Sequence, residues 1–261
     1  NFAVVCSPTH LHLPHAIGAA KEGMHVLIEK PPSHSTEGFF ELRKICGEKS
    51  LIAMVACNFR FTRGLSAVKK IVGEKKYGRL LSIRACFGQF LPSMRKSRDY
   101  KALYAAGEAG GVVLDSFHEF DYVTWIMGSL PQEIAFFKTK TGLLEIAKED
   151  LVEVILDYRT ALASIHCDYL RAKYARSCEF VFEKAVVNWE YRADEERELL
   201  QAFQDNGSKA ALLDSKLVIN KMYLDELKHF IECIEENKQP VLGLVEAENT
   251  LKLMLKVVNK S

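Results

Sequence analysis

Short apolar runs alternate with segments of helical period along the first 57 residues. Phe2 to Cys6 is continuously apolar and short enough for a strand buried in a parallel sheet. Ser7-Pro8-Thr9 breaks it. Pro14 to Glu22 reads as a helix, with Pro14 near its first turn and Gly23 at its end. His25-Val26-Leu27-Ile28 is a second buried strand, stopped by Pro31-Pro32. Ser35 or Thr36 can cap a helix that runs to about Cys46, with Leu42 and Ile45 turned inward. Leu51 to Cys57 is a third strand. Strand and helix alternating in this way predict a parallel α/β sheet.

The pattern then changes, with a boundary near Asn58 to Arg63. Leu65 to Val72 is helical, and Arg79 to Phe90 is a long strand of alternating character. A loop rich in Arg, Lys and Tyr follows, from Leu91 to Gly107. Gly110-Gly111 opens an apolar helix through Met127, ended by Gly128. Glu133–Lys138, Val152–Tyr158, Ala161–Tyr169, Cys178–Phe182 and Ala185–Tyr191 are strand-like and have no helix between them. That succession predicts a predominantly antiparallel sheet, half open to solvent. Two helices, Lys221 to Glu236 and Val245 to Val258, close the chain on either side of Pro240. The fold class expected is α/β plus α+β.

Composition narrows the partners. The 261 residues carry a formal net charge of +1, which gives no footprint for nucleic acid and no basic stripe for a membrane surface. The longest apolar runs are too short to span a bilayer. The chain opens without the basic segment of a signal peptide, so a cytoplasmic protein is expected. Seven cysteines, an odd number without a CxxC pair, read as buried reduced thiols. His10, His12 and His15 cluster, but no Cys or carboxylate joins them at a recognised zinc spacing, so no metal is expected.

Two segments carry chemistry. Glu29-Lys30-Pro31 ends a buried strand, and parallel α/β sheets bind ligands outside the carboxyl ends of their strands. The plain alternative is a surface lysine paired with Glu29. In the stretch from Gly110 to Trp125, a single helix would place Asp115, His118, Tyr122 and Trp125 on one face, with Val112, Val113, Val123 and Ile126 opposite. Such a face is either a site or a satisfied polar pair in the core.

Several motifs, in order along nearly the whole chain, resemble the Gfo/Idh/MocA oxidoreductases. They are the loop Pro8-Thr9-His10-Leu11-His12-Leu13-Pro14, the run His25 to Pro31, Asn58-Phe59-Arg60-Phe61, Tyr77 to Ser82, Gly110-Gly111 to Gly128, and the closing helix Tyr223–Ile234. His118 stands three residues after Asp115, where most members have four. That spacing, and Arg98-Asp99-Tyr100, look closer to a branch associated with bacterial surface sugars. The resemblance implies that residues 1–60 are the C-terminal part of a dinucleotide-binding Rossmann domain. Residues 61–261 would form a substrate and oligomerisation domain, whose last helix packs back on the first. It implies NAD or NADP as cofactor, held by Ser7, Pro8, His12, Glu29, Lys30 and Asn58. It implies hydride transfer to or from a hydroxyl or keto carbon of a sugar or nucleotide sugar. Lys30, His118 and Asp115 would be catalytic. Arg98 and Tyr100, with Asp115 and His118, would contact the substrate. A histidine suits the proton transfer near neutral pH, and a charged lysine suits polarisation of the reacting oxygen. A homodimer or homotetramer through the open sheet face is expected. The family also opens with a strand and a Gly-x-Gly-x-x-Gly turn, which this chain does not show. The expectation is therefore a chain lacking the segment that grips the pyrophosphate. The competing reading is a truncated or degenerate homologue, without catalysis, that serves as a binding or assembly module.

Overall fold

The computed structural model describes residues 1–94, 100–101 and 110–259. In chain order it contains β1 (Phe2–Val5), α1 (His12–Lys21), β2 (His25–Ile28), α2 (Phe39–Glu48), β3 (Ala53–Val55), α3 (Arg63–Gly73), β4 (Leu80–Gly88) and the short α4 (Leu91–Met94). There follow α5 (Val112–Asp115), α6 (Phe117–Met127), β5 (Glu133–Thr139), β6 (Leu151–Asp157), β7 (Leu162–Asp168), β8 (Ala175–Phe182) and β9 (Ala185–Arg192). The last elements are β10 (Arg197–Gln204), β11 (Lys209–Lys216), α7 (Ile219–Glu235) and α8 (Leu244–Asn259). The chain divides into two compact units, one made of residues 1–61 with 219–261 and the other of residues 62–218. Both closing helices therefore lie with the first unit; the sequence reading placed 61–261 in one domain with only its last helix packing back on the first.

In the first unit β1, β2 and β3 pair in parallel in that order. The apolar runs of β2 and β3 are buried, whereas Phe2 and Val4 leave β1 largely exposed. One helix-side core joins Leu27, Ile52, Met54 and Ala56 to Phe230 and Cys233 of α7. This apolar stripe on α7 is what brings the closing helices here. The cap of α2 differs from expectation. Gly38, at φ 89°, precedes the helix, with neither Ser35 nor Thr36 in that place. The left-handed backbone there favours glycine.

The second unit holds an eight-stranded sheet in the order β11-β10-β9-β8-β4-β7-β6-β5. Every neighbouring pair is antiparallel except β4 with β7. The mixed sheet arises because β4, separated in sequence by the helices, enters between β8 and β7. Its covered face carries Ile83, Ala85, Phe87, Cys178, Phe180, Val187 and Trp189, all buried. Gly64 of α3 comes so close to this face that a Cβ would stand 2.4 Å from the Trp189 ring. The same place is tied polar to polar: Glu198 accepts from the Gly64 N–H at 2.7 Å and from Trp189 Nε1 at 2.8 Å. The hairpin β10–β11 was not anticipated. Its alternation is masked by charge on the open side, yet Asn206-Gly207 between two runs is a recognised hairpin signal, and Gly207 has φ 82°.

All seven cysteines are free thiols. Five are buried as expected, but Cys6 is exposed and Cys86 is partly so. No helix among the described residues is long and apolar enough to cross a membrane.

Candidate functional site

In the first unit the expected contacts gather by topology. Ser7 and Pro8 follow β1, Glu29 and Lys30 follow β2, and Asn58 follows β3. All lie past the carboxyl ends of parallel strands, where such sheets bind ligands. The loops are held by His12. This buried imidazole has Nε2 2.6 Å from the Ser7 carbonyl oxygen and Nδ1 2.9 Å from that of Pro31. His12 thus links the loops after β1 and β2, and both of its nitrogens face protein carbonyls. His15 Nδ1 meets the Ser7 hydroxyl at 3.0 Å. Glu29 accepts from the Lys30 backbone N–H at 2.8 Å, and the Lys30–Pro31 bond is cis. Lys30 is half-buried.

Among the described residues, two buried side-chain oxygens near these strand ends make no hydrogen bond to the protein. Asn58 is buried, and its side-chain oxygen Oδ1 makes no hydrogen bond. Glu226 of α7 is also buried. Its carboxyl accepts from the Cys57 backbone N–H, while Oε1 has no partner. Burial first, and the charge of Glu29 second, push Glu226 up to about 8. The sequence reading placed Glu226 in the closing helix without a role. A signal was present: Met222, Glu226, Phe230 and Cys233 form one buried stripe at helical spacing, and only one of the four is ionisable.

In the second unit the glycine-led helix is two helices. Asp115 ends α5, Ser116 adopts φ −84° and ψ 29°, and His118 stands in the first turn of α6. The single polar face expected from helical spacing therefore does not form. Tyr122 is fully buried with its ring 5.8 Å from Trp189, so it belongs to the core. Trp125 lies beneath the Lys69 ammonium, 5.7 Å from the ring centre. His118 is 8% exposed. Asp115 Oδ2 accepts a hydrogen bond from the Tyr169 hydroxyl at 2.6 Å. Glu119, next to His118, forms a buried ion pair with Arg176, 2.8 Å from Nε. The Arg176 guanidinium stacks over Phe87 at 4.3 Å; burial works against its charge, and the negative charge of Glu119 outweighs that and holds it protonated. The sequence reading missed Tyr169 and Arg176, because both come from strands far from the helix in sequence. Tyr100 is half-buried; Arg98 lies outside the described residues.

The unit thus offers a carboxylate and an imidazole on adjoining helix ends, braced from the sheet. The other unit offers an ammonium, a carboxylate and an amide at parallel strand ends. Chemically, the first set can bind a hydroxyl and move its proton. The second can hold the polar groups of a nucleotide.

Comparisons with known proteins also divide the chain near residue 60. Residues 1–57 match the family model for the oxidoreductase family with an NAD-binding Rossmann fold. Residues 65–188 match the model for the GFO/IDH/MocA C-terminal domain. Levoglucosan dehydrogenase of Pseudarthrobacter phenanthrenivorans is 29% identical over 139 residues, covering 52% of this chain and 35% of that protein. 2,7-Anhydro-N-acetylneuraminate hydratase of Mediterraneibacter gnavus is 30% identical over 144 residues, covering 53% and 35%. The matched stretches thus span about a third of those relatives' own length. Among solved structures, aldose-aldose oxidoreductase from Caulobacter crescentus superposes with a TM-score of 0.84 at 18% identity, covering 99% of this chain and 76% of that one. Levoglucosan dehydrogenase in complex with NADH and levoglucosan gives 0.84 at 17% identity, covering 98% and 77%. These two structures share the fold. With both family models matched in order along most of its length, the chain belongs to the Gfo/Idh/MocA family of oxidoreductases.

Proposed function

We propose that the protein transfers hydride between a nicotinamide dinucleotide, NAD or NADP, and a hydroxyl or keto carbon of a sugar or nucleotide sugar. The observation that carries this reading is the set of groups past the carboxyl ends of β1, β2 and β3. Ser7, Glu29, Lys30 and Asn58 cluster there by topology, and Asn58 Oδ1 is buried without a protein partner. An amide oxygen so placed has capacity for an N–H donor of a ligand, and the nicotinamide carboxamide supplies one. Glu29 suits a ribose hydroxyl. The dinucleotide, when bound, supplies the hydride acceptor or donor.

The remaining work falls to this chain's side chains. Lys30 keeps a positive charge on the reacting oxygen and lowers the cost of its alkoxide character. His118 takes the hydroxyl proton during oxidation and returns it during reduction, a task matched to an imidazole near neutral pH. Asp115 orients the imidazole or holds a neighbouring sugar hydroxyl. Tyr100 and Arg98 contribute to substrate contact. The named activities of relatives, a levoglucosan dehydrogenase and a D-xylose dehydrogenase among them, support a sugar as substrate.

The test is a screen of free sugars and nucleotide sugars with NAD and NADP on the full-length protein, read at the nicotinamide absorbance band. His118→Asn should lower turnover of the active pair about a hundredfold or more. Lys30→Met should lower it at least as far. Near-normal turnover in either variant removes the role assigned to that residue, and no absorbance change with any sugar removes the reading.

A further inference from the structure

The sheet reaches the Asp115 carboxylate through one buried phenol. Tyr169 follows β7 and is fully buried. Its backbone is tied on both sides: its N–H donates to the Asp150 carbonyl at 2.9 Å, and its carbonyl accepts from the Leu91 N–H at 3.0 Å. Its hydroxyl stands 2.6 Å from Asp115 Oδ2 and 3.2 Å from the Gly111 carbonyl oxygen. A phenol has one proton to give, and the shorter, charge-assisted partner is the carboxylate.

The same corner holds the start of the helix. The Val112 N–H donates to the Glu149 carbonyl at 3.1 Å, and the Val113 N–H to the Glu149 carboxylate at 3.4 Å. Gly111 takes φ 113°, and a Cβ on it would stand 2.4 Å from that carboxylate. Asp150, buried, accepts from the Thr141 backbone and hydroxyl at 3.0 and 2.8 Å. A four-residue helix such as α5 has little stiffness of its own. The orientation of the carboxylate at its end is therefore set by what grips it.

We infer that Tyr169 is a positioning residue of the active site: its hydroxyl, held from the sheet, sets the plane of the Asp115 carboxylate for its work on the substrate. The inference rests on the oxidoreductase reading above and adds a residue to it. Tyr169→Phe removes one oxygen and keeps the ring, so packing is conserved while the hydrogen bond is lost.

The experiment has two arms on the full-length protein. In the first, proton NMR follows the phenol hydroxyl, which burial and a short bond to a carboxylate place far downfield in slow exchange. That resonance should vanish in Tyr169→Phe and move upfield in Asp115→Asn, where the acceptor becomes neutral. A resonance indifferent to Asp115→Asn overturns the pairing, whether or not any sugar is turned over. In the second, Tyr169→Phe should lower kcat roughly ten- to hundredfold, the span for a hydrogen bond to a charged group. The KM for the dinucleotide should stay near wild type, and the thermal midpoint should fall only by the few degrees that loss of one hydrogen bond costs. A general packing defect would raise that KM as well and leave the phenol's response to Asp115→Asn unexplained. Unchanged kcat in Tyr169→Phe, with His118→Asn impaired, overturns the positioning role while the oxidoreductase reading stands. If His118→Asn and Lys30→Met are both unimpaired, that reading falls, and with it any catalytic sense of positioning; the NMR arm alone then decides the pair.

Discussion

In the first unit, β1 has a strand partner on one side only among the described residues, and Phe2 and Val4 are 44% and 51% exposed. Alternate backbone groups of a parallel strand face away from its partner, so β1 leaves a row of them unpaired. In the second unit, β4 has partners on both sides, and its face toward the helices is fully covered. The ionisable groups follow the same contrast. Glu226, in the first unit, is a buried carboxyl with one unpartnered oxygen. Glu119, in the second, is more deeply buried yet sits against Arg176. Among the described residues, the first unit therefore buries a carboxyl without a cation beside it, whereas the second pairs the fully buried Glu119 carboxylate with a guanidinium.

The largest effect should come from breaking the braced charge. Arg176→Leu leaves the Glu119 carboxylate in the core without its cation and removes the stacking on Phe87. Loss of one partner of a buried pair costs about 3–5 kcal/mol. Denaturant unfolding followed by Trp189, which lies wholly in the core of the second unit, should show the midpoint fall accordingly. A loss under about 1 kcal/mol would mean that the Glu119–Arg176 pair contributes little net stability, and the contrast with Glu226 would fail.

Glu226 supplies the converse case, and its sign can be worked out. The folded unit holds its proton up to about pH 8, while the unfolded chain releases it near the ordinary glutamate value of 4.5. The unfolded state therefore binds fewer protons between those limits, and stability falls as pH rises from about 4.5 to about 8. Below that window the contribution is fully present; above it the contribution is gone. Glu226→Gln keeps an oxygen for the Cys57 N–H and removes the titration. Its unfolding free energy should be flat across the window where wild type declines by a few kcal/mol. Paired urea melts at pH 5.5 and 8.5 make the comparison. Equal slopes in the two proteins would show that Glu226 stays ionised in the fold.

These pairs also mark what the sequence could reveal. The strand-end groups were legible because their positions follow from local punctuation: Ser7 and Pro8 break one apolar run, and Lys30-Pro31 stops another. The three strands, the long helices and the run of sheet strands were legible for the same reason. The break at Ser116 was not, since Gly110 to Met127 keeps an unbroken apolar character that a continuous helix explains equally well. Tyr169, Arg176 and Glu226 were not assigned because each acts on a residue far away in sequence, through a register that only the folded sheet or helix pair creates. Glu226 alone left a trace, as the charged member of an apolar stripe.

The smallest expected effect on folding concerns the open face of the large sheet, the side on which the second unit is not covered by its own helices. Phe137 of β5, Ile155 of β6 and Leu162 of β7 are 85%, 43% and 53% exposed. Registry places all three on one face: Phe137 opposes Glu153, Ile155 opposes Ser164, and Leu162 opposes Ser82. Charges also stand on this face, with His166 2.8 Å from Asp168, so it is neither a plain core nor a plain solvent surface. Exposed substitutions away from a packed feature change stability by about 0.5 kcal/mol or less. Leu162→Asp should therefore leave the unfolding midpoint of the isolated chain almost unchanged. If the face is the surface through which copies associate, as expected from the family resemblance, the same substitution should convert a dimer or tetramer to a monomer in sedimentation velocity at tens of micromolar, because a new carboxylate would be buried without a partner. Wild-type protein already monomeric at that concentration would overturn the association. It would leave the open face a solvated one.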